Sequence, residues 1–124
     1  MTLYMMQMIY TNEAWTALVK DPEDRALMAR SLAEDLGGTN VGFWLSLGEH
    51  DLVTIFDLPD QASAAALSMA ISAGGAVSDV KTTVLMSPQE AVRAMNKAQS
   101  LEYRPPRAMW AAREDWSDSP PADG

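Results

Sequence analysis

Apolar positions near the start of the chain fall on both parities of an extended segment. Leu3, Met5 and Ile9 lie on one side, and Tyr4, Met6, Met8 and Tyr10 on the other. The run has strand length and predicts β-structure over residues 2–10. Thr11 or Asn12 then offers a side-chain oxygen to the free amides of a helical first turn, and Trp15, Leu18 and Val19 recur at helical spacing. Asp21-Pro22-Glu23-Asp24 reads as a restart, with Asp as cap, Pro at the first helical position and acids in the first turn. Met28, Leu32 and Leu36 continue as an i, i+4 stripe that Gly37-Gly38 ends. The expectation is one helical region with a break or kink near Asp21.

Between residues 41 and 57, two strand-like runs flank a short Gly48-Glu49-His50-Asp51 turn, the pattern of a β-hairpin. After Leu58-Pro59, Asp60 caps an alanine-rich helix through Ala73, which Gly74-Gly75 stops. Its small face of Ala62, Ala65, Ala66, Met69 and Ala73 is expected to approach a sheet closely. Residues 77–86 alternate in part, with Val80, Thr82, Val84 and Met86 on one parity, and predict a fourth strand. Ser87-Pro88-Gln89-Glu90 is a capping box for a third helix supported by Val92, Met95 and Ala98. From Arg104 onward the prolines argue against a regular element, apart from a short helical turn over residues 108–115.

The order is β-α-β-β-α-β with an added helix and tail. That is the split β-α-β arrangement of an α+β, ferredoxin-like fold: four antiparallel strands with helices on one face. The domain is expected over residues 1–101, followed by a Pro-rich, Trp-containing tail over residues 102–124. Helices on one face alone leave the other strand positions to turn polar toward water. They stay apolar instead: Leu3, Met5 and Ile9 oppose Tyr4, Met6 and Met8, Trp44 opposes Phe43, and Val53 and Ile55 oppose Leu52 and Phe56. A second copy of the chain is the expected cover, as a homodimer or higher homo-oligomer in a dimeric α+β barrel-like assembly. The alternative is the third helix or the tail, where Met109, Trp110 and Trp116 are candidates to dock on the domain or a neighbouring subunit.

Composition narrows the partners. Of 124 residues about half are apolar, enough for one core, and no apolar run approaches membrane-span length. The first residues carry no basic stretch ahead of an apolar one, so a cytoplasmic location is expected. The net charge of −8, with Lys and Arg scattered, disfavours nucleic acid. No cysteine is present, which removes disulfides and thiolate chemistry.

His50 is the chain's single histidine and sits between Glu49 and Asp51. An imidazole suits proton transfer near neutrality, so His50 and Asp51 are the catalytic candidates. Neighbouring residues on an extended chain face opposite ways, which keeps Glu49 and Asp51 from both addressing one imidazole. The competing reading makes His50 a hairpin residue and Asp51 an acceptor for turn amides. One histidine without cysteine gives no metal-ligand pair, no phosphate-binding glycine loop occurs, and no cofactor is expected. Tyr4, Met6, Tyr10, Trp44 and Phe56, with Met8, are candidates to line an apolar ligand cleft between sheets, against the commoner fate of core packing.

Tyr10-Thr11, Leu36-Gly37-Gly38, residues 42–51 and Leu58-Pro59-Asp60 together resemble the GYD domain family of small bacterial ferredoxin-like proteins. The resemblance covers about residues 2–97, and His50 stands where that family usually has Tyr. It implies kinship with dimeric α+β barrel proteins, among them small monooxygenases, haem-handling proteins and ligand-sensing domains. It brings no settled reaction, and fold alone assigns none. Two functional classes follow: an oligomeric module binding a small apolar or aromatic ligand or serving as an interaction domain, and a cofactor-independent, monooxygenase-like enzyme using His50.

Overall fold

The computed structural model of the chain describes residues 1–111. Strand β1 (Thr2–Tyr10) leads through helices α1 (Asn12–Lys20) and α2 (Ala26–Asp35) to β2 (Thr39–Leu45) and β3 (Leu52–Leu58). Helix α3 (Gln61–Ala73), strand β4 (Val77–Leu85), and helices α4 (Pro88–Ala98) and α5 (Arg107–Ala111) complete it. The strands order as β2-β3-β1-β4, each pair antiparallel. Each helical crossover therefore skips one strand, and α1, α2 and α3 pack on one face of the sheet. This is the α+β, ferredoxin-like arrangement that the order of elements implies.

The sheet's alternation is sharp. Tyr4, Met6, Met8 and Tyr10 of β1 and Leu52, Thr54, Phe56 and Leu58 of β3 are buried beneath the helices. Met5, Ile9, Val53 and Ile55 face the other way, and Trp44 stands beside Val53 on that side. Pairing Met5 with Ile55 and Gln7 with Val53 puts each set on its own face.

Local chemistry explains most boundaries. Thr11 caps α1 by accepting the Ala14 amide at 3.1 Å, and Asp60 caps α3 by accepting the Ser63 amide at 2.8 Å. The end of α2 is a Schellman turn: the Gly38 amide reaches the Ala33 carbonyl at 2.8 Å and the Gly37 amide reaches Glu34 at 3.0 Å. Gly37 takes φ +78°, a conformation suited to glycine.

Four expectations are corrected. The expected break near Asp21 is present, with Asp21 ending α1, but the restart differs: α2 starts at Ala26, whose amide bonds Asp24 at 2.9 Å, so Pro22 lies outside both helices. On α1, Trp15 and Leu18 pack against the core, whereas Val19 is exposed. On α2 the buried residues are Ala29 and Ala33, flanked by Leu32 and Leu36. On α3 the buried face is Ala64 and Leu67, with Ile71 beside them, while Met69 is 70% exposed. An alanine-rich helix has little contrast between faces, and the sheet takes its larger branched side chains.

Contacts divide the chain into Met1–Met86 and Ser87–Gly124. Within the second unit, Ser87 caps α4 through the Glu90 amide at 3.1 Å, and no residue of α4 is buried. Helix α5 overlaps the first half of the helical turn expected over residues 108–115. Trp116 and residues 112–115 lie outside the described residues.

Candidate functional site

The candidate residues His50 and Asp51 lie in the turn between β2 and β3 and reach different partners. The Asp51 carboxylate accepts the Tyr10 amide at 2.9 Å and the Trp15 indole N–H at 3.3 Å. The Asp51 main chain adds a bond from its amide to Met8 and accepts one from the Ser46 amide. Asp51 thus ties the hairpin to the end of β1 and the start of α1. His50 points instead toward β4, with Nε2 3.9 Å from Asp79 Oδ2. Its side chain is 13% exposed and that of Asp79 is 59% exposed. Among the described residues no hydrogen bond joins His50 to Glu49 or Asp51.

The residues expected to line a ligand cleft divide between the two sheet faces. Tyr4, Met6, Tyr10 and Phe56 are buried on the helix side, whereas Trp44 is 54% exposed on the other side. The Trp44 ring lies over Gly42, where any Cβ would run into it. Tyr10 and Phe56, with Met8, meet at a cavity; Tyr4 and Met6 are core residues that do not line it.

That cavity, of about 300 Å³, lies between α2, α3 and the sheet. Met8, Phe43, Leu52, Phe56, Ile71 and Val77 give it apolar walls. Thr54, Tyr10 and Arg25 bring the polar atoms. The Thr54 hydroxyl is already engaged: it donates to the Gly42 carbonyl at 2.8 Å and accepts from Asn40 Nδ2 at 2.9 Å. Those bonds secure a bulge, since Asn40 pairs with Phe56 and Gly42 with Ile55, leaving Val41 extra. A second cavity of about 390 Å³ adjoins the first, bounded by α1, the α1–α2 loop and β2, and shares Tyr10, Arg25 and Phe43 with it.

Tyr10 is held firmly. Its amide bonds Asp51, and its ring meets the Trp15 ring edge-on, centroids 5.2 Å apart. Burial pushes its phenol pKa above the ordinary value, partly offset by the charge and hydrogen bond of the Arg25 guanidinium beside it. Arg25 in turn pairs with Glu23 at 2.7 Å.

Sequence reasoning missed Arg25, Phe43, Thr54 and Ile71 as cavity residues and Asp79 as the neighbour of His50. Arg25 carries no local signal, because it reaches Tyr10 only when the α1–α2 loop folds back over the sheet. Among the described residues no group of three or more His, Asp or Glu side chains is placed to hold a metal ion. No helix among them is long and apolar enough to cross a membrane.

No curated protein and no solved structure matches the chain significantly. The family model described as GYD domain does match, over residues 4–95, a span running from β1 into α4 and including the hairpin and every cavity residue. The chain belongs to the GYD domain family.

Proposed function

We propose that this protein is a homo-oligomeric module that binds a small apolar or aromatic molecule in the cavity between α2, α3 and the sheet. The observation that carries the reading is the cavity itself. It has about 300 Å³ of space, apolar walls and two polar side chains at its edge, Tyr10 and Arg25. Small-molecule sites are built in this way, from an apolar concavity with a few fixed polar groups. The enzymatic alternative, with His50 as proton-transfer group, has less support because His50 lines neither cavity.

Self-association uses the opposite sheet face. Leu3, Met5, Ile9, Val53, Ile55 and Trp44 lie there, with Leu3 38% and Trp44 54% exposed. Lys81 pairs in register with Gln7, and Asp57 with Leu3, so both signs of charge share this face. A two-fold axis can then oppose unlike charges around an apolar centre.

Calorimetric titration with 2-naphthamide tests the ligand reading. Binding by the wild type and its loss in Ala70→Trp, an exposed rim position of the cavity, support it. Equal binding by both proteins, or by neither, overturns it. Light scattering tests assembly: a mass of at least two chains, reduced to one by Ile55→Glu, is expected. A wild-type monomer overturns that part.

A further inference from the structure

The cavity has a charge character opposite to that of the chain. The protein carries a net charge of −8, yet the cavity is lined by one cation, Arg25, and by no carboxylate. We propose that its occupant is an apolar or aromatic monoanion, such as a carboxylate, whose charged group binds at the cavity edge to the Arg25 guanidinium and the Tyr10 hydroxyl. This rests on reading the cavity as the ligand site.

Three features carry the assignment. First, Arg25, Tyr10 and Phe43 are the residues shared by the two adjoining cavities, so Arg25 stands at their junction. Second, the other polar wall group is spent: the Thr54 hydroxyl both donates and accepts within the β2–β3 bulge. A ligand's polar group therefore has Arg25 and Tyr10 to address, and both supply N–H or O–H donors. A charged guanidinium beside a hydroxyl donor favours an anion over a neutral amide or alcohol.

Third, the guanidinium is pre-positioned but not consumed. A guanidinium has five N–H donors; Glu23 takes Nη1 at 2.7 Å and the Tyr10 phenol oxygen accepts another, which leaves donors for a ligand. The pair with Glu23 is surface-exposed, 37% for Arg25 and 52% for Glu23, and joins residues two apart in sequence. Exposed pairs of this kind contribute little, so an incoming carboxylate displaces Glu23 at small cost. The planar guanidinium fork then matches a carboxylate with two parallel bonds. Tyr10 is fixed by Asp51 and Trp15, and its phenol lies beside the Arg25 guanidinium.

Paired titrations of 2-naphthoate and 2-naphthamide test this, since the two probes share one apolar body and differ in charge. Wild type is expected to bind the naphthoate at least about tenfold more tightly, the scale of one charge-assisted bond. Arg25→Gln is expected to weaken the naphthoate far more than the amide and so to abolish the difference between the two probes. Arg25→Lys is expected to recover part of the difference, and Glu23→Gln, which removes the competing carboxylate, to tighten the naphthoate. Equal wild-type affinities overturn the anion assignment. So does an Arg25→Gln variant that weakens both probes alike, because the arginine stem is then only a wall. These results leave the cavity itself standing. Probes that bind without regard to Ala70→Trp, or do not bind, overturn the cavity reading as well.

Discussion

The Asp51 carboxylate accepts the Tyr10 main-chain amide across 41 positions of sequence, at 2.9 Å. This bond joins the hairpin turn to the last residue of β1, and the Trp15 indole shares the same oxygen. Asp51 thereby ties the turn to β1 and α1, and His50 faces Asp79.

Asp51→Ala is expected to destabilise the fold by about 1–3 kcal/mol, because two partly buried donors lose their charged acceptor. Asp51→Asn keeps an oxygen there and is expected to cost less. Urea denaturation of the two variants checks the order.

Two glycines are expected to respond oppositely to alanine. A Cβ at Gly38 would run into the Asp57 carbonyl oxygen and crowd the Leu58 side chain, whereas one at Gly48 meets nothing nearer than Ser46 Oγ at 3.6 Å. Gly38→Ala is expected to cost roughly 1–3 kcal/mol, as overpacking does. Gly48→Ala is expected to fall within about 0.5 kcal/mol of wild type, as ordinary surface changes do. Thermal melts of the pair report the difference.

Removing the Thr54 hydroxyl as Thr54→Val leaves the Gly42 carbonyl without that donor and Asn40 Nδ2 without one acceptor. Thr54 is 1% exposed, so the expected loss is about 1–3 kcal/mol. Thr54→Ser retains the hydroxyl and is expected to lose less. A chemical-denaturation series separates the two.

Tyr10 gives an alkaline signature. Its phenol pKa is raised chiefly by burial, so the folded state holds the proton more tightly than the unfolded chain. The resulting stability is fully present below the ordinary tyrosine pKa near 10 and is lost as pH rises through the elevated folded value. Absorbance titration is expected to show a late phenolate phase that Tyr10→Phe removes. Its persistence in that variant contradicts the assignment.

Much of the fold was legible because its signals are local. Thr11, Asp60 and Ser87 announce three helix starts, Gly37 a helix end, and the two apolar parities of β1 a sheet with two distinct faces. The face of α3 was not, because Ala62, Ala65 and Ala66 offer no contrast with Ala64, and only Leu67 and Ile71 mark the buried side. The site was the least legible part. Tyr10 and Phe56 were named from their aromatic character, yet their neighbours Arg25 and Ile71 come from α2's entry and from α3. No periodicity reports which helix faces meet over a sheet. Trp44 shared the aromatic signal and belongs to the opposite face.

The most direct test of the central claim is methyl NMR of the methionines during titration with 2-naphthoate. Met8 and Met28 line the cavity, Met5 lies on the opposite sheet face, and Met69 is exposed on α3. Saturable shifts at Met8 and Met28, with Met5 and Met69 unmoved, are the expected result. Shifts confined to Met5, or spread evenly over all four, contradict a ligand site beneath α2 and α3.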